Sequence, residues 1–562
     1  MGDHHDHEDV SAEGTFLEPE VLDRELSMPD LTRRKFLRAM GLIGAATGAS
    51  RVIGLGGGAP AASALTIGGL PVTINTERFL WLAGDHHTHT LYSSDGQYTV
   101  SQQVAHASQY GLQWMVITDH GRVAHEKVGI DKTRPGILQA RADFPAMLVY
   151  QGLEWNIPGA EHGTVFMAPS DAEVALLHEF ERMFDGVVVF GAAASAPSSE
   201  PLALDGIRYL AAQVRAGRTS SALFLANHPS RRGLDAPHEI RNWIDADSTV
   251  AVGMEGAPGH QAAGIAASAM GPGSARGFYD NAPTANSHPG YPPESYRTFG
   301  GFDWMTAKVG GLWDSLLSEG RRWWITANSD AHSVYKDTFV RGPGNGEYDN
   351  PASPYFGGYG DPVDTGVPQG GRGDFWPGYY SRTHVGSTAP EYAAVMEGIR
   401  KGRMWVGHGD LIRSLDVRVL APPTTLGLGA TLGDNAVAPA GGEVILIVRI
   451  DLAIGPNANG DLPQLRRVDL ITGAVTGPGA DRDSISAPVT QVVKSFDVSR
   501  NRYVAAFQYR FTNVRQSFFL RLRGTDGNFS APGSIEPRLD PVPIDPWTDL
   551  WFYSNPIFVD VR

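Results

Sequence analysis

Histidines and carboxylates recur in short polar clusters, each directly after an apolar run. Phe79–Leu82 leads to DHHTHT (85–90), Trp114–Ile117 to TDH (118–120), Met147–Tyr150 to GLE (152–154), Ala222–Leu225 to NHP (227–229) and Trp323–Ile325 to ANSDAH (327–332). His87 and His89 stand two apart, so an extended backbone turns both to one face, where they can grip one ion. Asp330 and His332 repeat that spacing. Taken singly, Asp95 in SSDG reads as a turn residue or a ligand, and His120 as a core histidine or a ligand. His162 in EHG and His228 in NHP are open between the same two readings. Glu154 is harder to give to structure alone, because an isolated buried carboxylate is costly. The nine groups together, all imidazole or carboxylate and all at the ends of apolar runs, point to one divalent-metal centre whose mixed ligands suit Zn²⁺, Mn²⁺ or Fe²⁺.

The apolar runs must position these groups. Runs of three or four residues without alternation suit strands buried on both faces, as in a parallel sheet. Helical stripes lie between them: Val100, Val104 and Ala107, then Leu204, Ile207, Leu210 and Val214, the second stopped by Gly217. Strand–helix alternation with polar residues at strand ends describes an α/β barrel, whose mouth gathers ligands scattered from 87 to 332. From about 416 the pattern changes to period two, with Phe507, Tyr509 and Phe511 alternating with Gln508 and Arg510, and Phe518, Leu520 and Leu522 alternating with Phe519, Arg521 and Arg523. A β-sandwich over 416–562 is expected there, structural in role, with Trp547 and Trp551 read as core packing or, more weakly, as a surface-binding pair.

The ordered set H-x-H…SDG…TDH…GxE…H…HP…SDAH, spanning about 85 to 332, resembles the PHP (polymerase and histidinol phosphatase) domain family, as does EGIRKGR (397–403) opening a strand after a short helix. The resemblance implies a distorted (β/α)7 barrel over 75–415 holding two or three divalent ions. His87, His89, Glu154 and Asp330 would share the first, Glu154 would bridge to a second on His162 and His228, and Asp95, His120 and His332 would hold a third. It further implies a metal-dependent phosphoesterase acting on a small organic phosphate mono- or diester. A water bridging two ions becomes the hydroxide nucleophile near neutral pH, and the ions neutralise charge developing on the phosphoryl oxygens. Glu154 and Asp330 head the catalytic candidates, joined by Arg122 and His384; Arg231 and Arg382 are candidates for orienting phosphate, or else solvated loop cations. Glu255 reads as a structural hydrogen-bonding group or a support for the ligands, and His260 as a mouth residue or a loop cap. Similar clusters also serve hydrolysis of carboxyl esters, amides and lactones, and a non-catalytic metal- or ligand-binding protein is the reading from another class. Insertions at about 170–200, 256–300 and 335–390 carry YFGGYG (355–360) and FWPGYY (375–380), read as loop-packing anchors or aromatic walls for a leaving group.

Composition narrows the partners. With 61 acidic against 46 basic residues, a formal charge of −15, the chain has no basic excess to displace counterions from a nucleic acid. It has no cysteine, which excludes disulfides, thiolate metal sites and a thiol nucleophile. Residues 1–64 read as a targeting segment: TRRKFLR (32–38), a short Gly/Ala-rich apolar run and Ala62-Ser63-Ala64 before the cleavage point resemble a twin-arginine signal. The expected partners are therefore the twin-arginine export machinery and signal peptidase, with a periplasmic or secreted product and no stable membrane anchor. His4, His5 and His7 would be removed with the segment.

Overall fold

The computed structural model describes residues 79–562, except 94, 267–272, 280–282, 343–349, 355, 423–428, 529 and 531–533, together with three short strands, Gly14–Phe16, Ala64–Ile67 and Leu70–Thr73. The expected twin-arginine stretch at 32–38 and the early histidines lie outside the described residues.

Seven strands carry or adjoin the ligand clusters: β1 Leu80–Asp85, β2 Trp114–Ile117, β3 Leu148–Asn156, β4 His162–Met167, β5 Ala222–Ala226, β6 Ala251–Ala257 and β7 Trp324–Ala327. They lie side by side in chain order, and every residue of β2, β5, β6 and β7 is buried, as expected of apolar runs covered on both faces. β1–β2–β3 and β5–β6–β7 pair in parallel, but β4 runs antiparallel to both neighbours. The chain reverses after β3 in a turn where Ile157 N donates to Glu161 O at 2.9 Å and Gly159 takes φ 94°. His162 therefore starts its strand instead of following one, and still reaches the edge where the other strands end. An isolated parallel bridge between Thr88 and Ala331 joins the extensions of β1 and β7, so the first and last strands of the seven meet beside the ligands.

The helical stripes pack as their spacing demands. α1 (Val100–Gln109) begins in a Thr99/Gln102 capping box and buries Val100, Val104 and Ala107. α2 (Glu200–Arg215) buries Ile207 and Leu210, with Leu204 and Val214 packed at the edge of the core. Gly217 follows at φ 71°, a conformation that closes a helix and favours glycine.

The C-terminal region shares a sheet with the ligand strands. Two further strands, β8 (Ser381–Ser387) and β9 (Met404–His408), extend the sheet antiparallel from β1, and β9 pairs with Trp551–Ser554. The same sheet then continues through Phe518–Thr525, Arg467–Ala474 and Gln491–Asp497, so one fifteen-stranded mixed sheet runs from the ligand strands into the C-terminal region. A separate four-stranded sheet contains Ile412–Leu420, Gly442–Leu452 and Val504–Val514, and it shares a core with the large one through Val444, Leu446, Val448, Leu470, Leu520 and Leu522. The expected boundary at 415/416 falls inside the strand Ile412–Leu420. The polar alternation at 519–523 is buried too: Arg521, fully enclosed, donates from Nε and Nη2 to Asp314 at 2.8 Å each, on α4 (Leu312–Ser318). Trp547 packs against Phe375, Tyr379 and Tyr380, and Trp376 stacks on His106 at 3.7 Å, so FWPGYY is a packing anchor. The architecture is mixed α/β, a large central mixed sheet with smaller β-sheets beside it.

Candidate metal centre

Backbone hydrogen bonds beyond the strand ends draw the ligand segments together. Asp330 N donates to His87 O at 2.9 Å, His89 N to Ala331 O at 3.2 Å and Gly121 N to Glu154 O at 2.9 Å. Asp85 ties the first and last segments, accepting from His87 N at 3.0 Å and Ser329 N at 2.9 Å. Burial pushes its carboxyl up to about 7. Gly259 lets two loops approach, because a Cβ there would sit 2.1 Å from Asp330 Cβ. His228, His260 and Asp330 all hold positive φ (31°, 52° and 48°), a conformation non-glycine residues adopt mainly where surrounding contacts fix it.

Glu154 lies at the middle, almost fully buried. Its Oε1 is 3.0 Å from His87 Nε2, 3.1 Å from His162 Nδ1 and 3.3 Å from His228 Nε2. Its Oε2 is 2.6 Å from His120 Nδ1 and 3.3 Å from His89 Nε2. Asp330 Oδ1 lies 3.1 Å from His87 Nε2 and 3.2 Å from His89 Nε2. Asp95, more than half exposed, approaches His120 and His332 at 3.5 and 3.4 Å. All nine histidines and carboxylates singled out from the sequence thus stand in one cluster.

The tautomers show what the cluster is for. His87 Nδ1 donates to Glu255 Oε1 at 2.7 Å; His89 Nδ1 donates to Ser93 Oγ at 2.8 Å, which passes its own hydrogen to Asp119; His332 Nδ1 donates to Asp330 O at 3.0 Å. With Nδ1 as the donor, a neutral imidazole turns its Nε2 lone pair into the cluster, and the Nε2 atoms of His87 and His89 lie 3.0 Å apart. Glu154 Oε2 and Asp330 Oδ1 are buried and align with no hydrogen-bond donor despite the close nitrogens. Lone pairs converging on common points, with orphaned carboxylate oxygens among them, fit divalent cations. Groups that could each hold an ion include His87/His89/Asp330, His89/His120/His332 and His120/Glu154/His162. Burial opposes ionisation of Glu154, but His87, His162 and His120 outweigh it and hold the carboxyl well below its usual range.

Three supports were open or unseen in the sequence. Glu255, fully buried, accepts from His87 Nδ1 and from His228 N, both at 2.7 Å. His260 bridges two carboxylates, Nε2 to Asp330 Oδ2 at 2.8 Å and Nδ1 to Asp374 Oδ1 at 2.5 Å. Burial works against its charge, yet Asp330 and Asp374 raise it to about 10. Asp374 also accepts from His332 N at 2.6 Å. Asp374 lies in an insertion with no periodic pattern, so its sequence carried no signal; Glu255 and His260 carried only their positions near a strand end.

The helper residues divide. Arg122 and Arg231 line a cavity of about 470 Å³ over the cluster, with Arg372 and Phe278. Arg231 Nε is buried without a hydrogen-bond partner. Arg382 and His384 are not in that cavity wall. Arg382 pairs with Asp410 and donates to Gly378 O and Tyr110 O. His384 stacks flat on Trp405, ring centres 3.7 Å apart, because alternation along β8 sends Thr383, its neighbour, to bond Ala327 instead. Burial, with Arg382 nearby, lowers His384 to about 3. Neither residue serves the cluster, which corrects both assignments.

Residues 85–188 match the PHP domain. This PHP-matching segment contains six of the nine clustered groups, and with the surrounding His, Asp and Glu sets it agrees with a metal-dependent hydrolase. No curated protein is significantly similar to the chain. Solved structures similar to it include a two-domain protein from Bacteroides vulgatus containing a predicted PHP-like metal-dependent phosphoesterase (11% identity, 82% of this chain and 94% of that one, TM-score 0.32). An amidohydrolase from Chromobacterium violaceum shares 15% identity over 31% of this chain and 76% of its own, with a TM-score of 0.18. Among the described residues no helix is long and apolar enough to cross a membrane.

Proposed function

We propose that the chain is an exported metal-dependent phosphoesterase acting on a small organic phosphate ester, with strands β1 to β7 forming a distorted (β/α)7 barrel. The observation that carries this reading is the cluster itself: nine ligand groups with Glu154 at their centre, and Glu154 Oε2 and Asp330 Oδ1 buried and aligned with no donor. His87, His89, Asp330 and Glu154 would hold one ion, Glu154, His162 and His228 a second, and Asp95, His120 and His332 a third. Bound there, divalent zinc, manganese or iron supplies Lewis acidity and lowers the pKa of a water.

The chain's own groups do the rest. Glu255, Ser93 and the Asp330 carbonyl keep the imidazole protons on Nδ1 of His87, His89 and His332, so each Nε2 remains a ligand. His260 holds Asp330 from the side away from the His pair, and Asp374 fixes His260. Arg231, whose charge is reinforced by Glu161 despite burial, lines the cavity and offers its guanidinium to a phosphoryl oxygen. Phe278 supplies an apolar wall for an organic leaving group.

Two experiments test the proposal. The chelated protein is reloaded with Mn²⁺, Zn²⁺ or Fe²⁺ and offered p-nitrophenyl phosphate, bis-p-nitrophenyl phosphate and p-nitrophenyl acetate. Metal-dependent release from a phosphate ester is expected; turnover of the acetate alone overturns the substrate class in favour of carboxyl-ester chemistry. For export, replacing Arg33 and Arg34 by lysine should leave uncleaved precursor inside the cell, and unchanged processing would contradict that part.

A further inference from the structure

Away from the catalytic cavity, His238, His288 and Asp483 bring three ligand atoms within 4.8 Å of one another. They come from three distant parts of the chain: the first turn of α3 (Pro237–Ala246), the 256–300 insertion and a loop of the C-terminal region. We propose that they form a second, independent metal site, taking one borderline divalent transition ion of the zinc type and fastening the C-terminal region to the α/β part.

Two observations separate this trio from an incidental surface ion pair. The first is the third ligand. His238 Nδ1 and Asp483 Oδ1 already pair at 2.6 Å, yet the His288 ring stands beside them, edge-on to His238 with ring centres 6.4 Å apart. His288 is fixed there by its own backbone, N donating to Gly233 O at 2.7 Å, and by its ring edge against Tyr291.

The second is the rigidity with which Asp483 is presented. Arg241, one turn after His238 on α3 and almost fully buried, donates to Arg482 O at 3.0 Å and Ser484 O at 3.1 Å, the residues on either side of Asp483. Arg482 in turn donates to Asn242 Oδ1 at 2.7 Å. The loop is thus clamped to the helix that carries His238, with the aspartate aimed at the histidines. Two imidazoles and one carboxylate are a ligand set for zinc, nickel or copper rather than calcium or magnesium, which prefer all-oxygen shells. The His238 and Asp483 side chains, 38% and 48% exposed, can rotate to close on an ion, with water completing its shell.

The test counts zinc. Full-length protein is loaded with Zn²⁺, desalted and assayed for bound metal alongside His288→Ala and Asp483→Asn. Each variant is expected to retain one equivalent less than the parent, to keep its phosphatase or esterase turnover, and to lose part of the zinc-dependent rise in melting temperature. Equal zinc content in parent and variants overturns the site. Should His288→Ala fail to fold, His238→Gln decides by the same count. Because the readout is metal content, failure here leaves the catalytic proposal standing, and an inactive parent whose variants still bind one equivalent less leaves this site standing.

Discussion

Replacing Glu255 by glutamine probes the support beneath the ligands without changing shape. The carboxylate now accepts from His87 Nδ1 through one oxygen and from His228 N through the other, both at 2.7 Å. A glutamine has one acceptor oxygen and one NH₂, so it can face one of these donors but must turn a donor toward the other. Asn328 Nδ2, 3.3 Å from Oε1, favours the oxygen on the His87 side and leaves His228 N opposed. A buried donor without an acceptor costs about 1–3 kcal/mol, and loss of a support behind a metal-bound histidine typically costs about 10–100-fold in metal affinity. We therefore expect Glu255→Gln to bind Mn²⁺ or Zn²⁺ about 10–100-fold more weakly in a chelator competition, with a lower melting temperature. Unchanged affinity and melting point would refute the supporting role of Glu255, because they would mean that His228 N needs no acceptor there.

Other consequences are as direct. Asp314→Ala strands the Arg521 guanidinium in the interior and should cost about 3–5 kcal/mol in denaturant unfolding, whereas a surface pair would cost little. Arg231→Ala should raise KM for phosphate esters more than it lowers kcat if the guanidinium binds substrate, and the reverse split would place it in the transition state. His384→Phe keeps the stack on Trp405 and should leave metal content and turnover intact. It should also flatten the acid side of the stability curve. A histidine whose folded pKa is depressed to about 3 stabilises the fold above its unfolded value of about 6.5 and loses that contribution as pH falls from there toward 3. The parent should thus lose more melting temperature than the variant between pH 7.5 and 5, and parallel losses would contradict the assignment.

The sequence made most of the cluster legible because His87, His120, Glu154, His228 and Asp330 come at or just after runs that read as buried strands. The chemistry of the side chains and the end of the run are written in adjacent residues, as in WMVI before TDH. The reversal of β4 was not legible: Thr164–Met167 is as apolar as its parallel neighbours, and direction leaves no mark on composition. His384 misled for a related reason, since YSRTH offers polar residues on a strand but not which face they occupy; alternation gives the inner face to Thr383. Asp374 and His260 meet only in three dimensions, from insertions without period. In the C-terminal half the alternation at 507–511 and 518–522 announced strands, but the other face of 519–523 was buried by Arg521 pairing with Asp314, which no local pattern shows. MWVGH and WFYS, apolar on both faces, carry no register signal, so the fusion of the two regions through β9 was hidden.

The central claim is that distant imidazole and carboxylate groups share ions around Glu154. Anomalous diffraction from crystals grown with Mn²⁺ addresses it without reference to any substrate. Two or three peaks are predicted within coordination distance of Glu154, His87, His89, His162, His228, His120, His332 or Asp330, and their loss is predicted in Glu154→Ala crystals. Absence of any peak in that cluster at saturating metal would contradict the account.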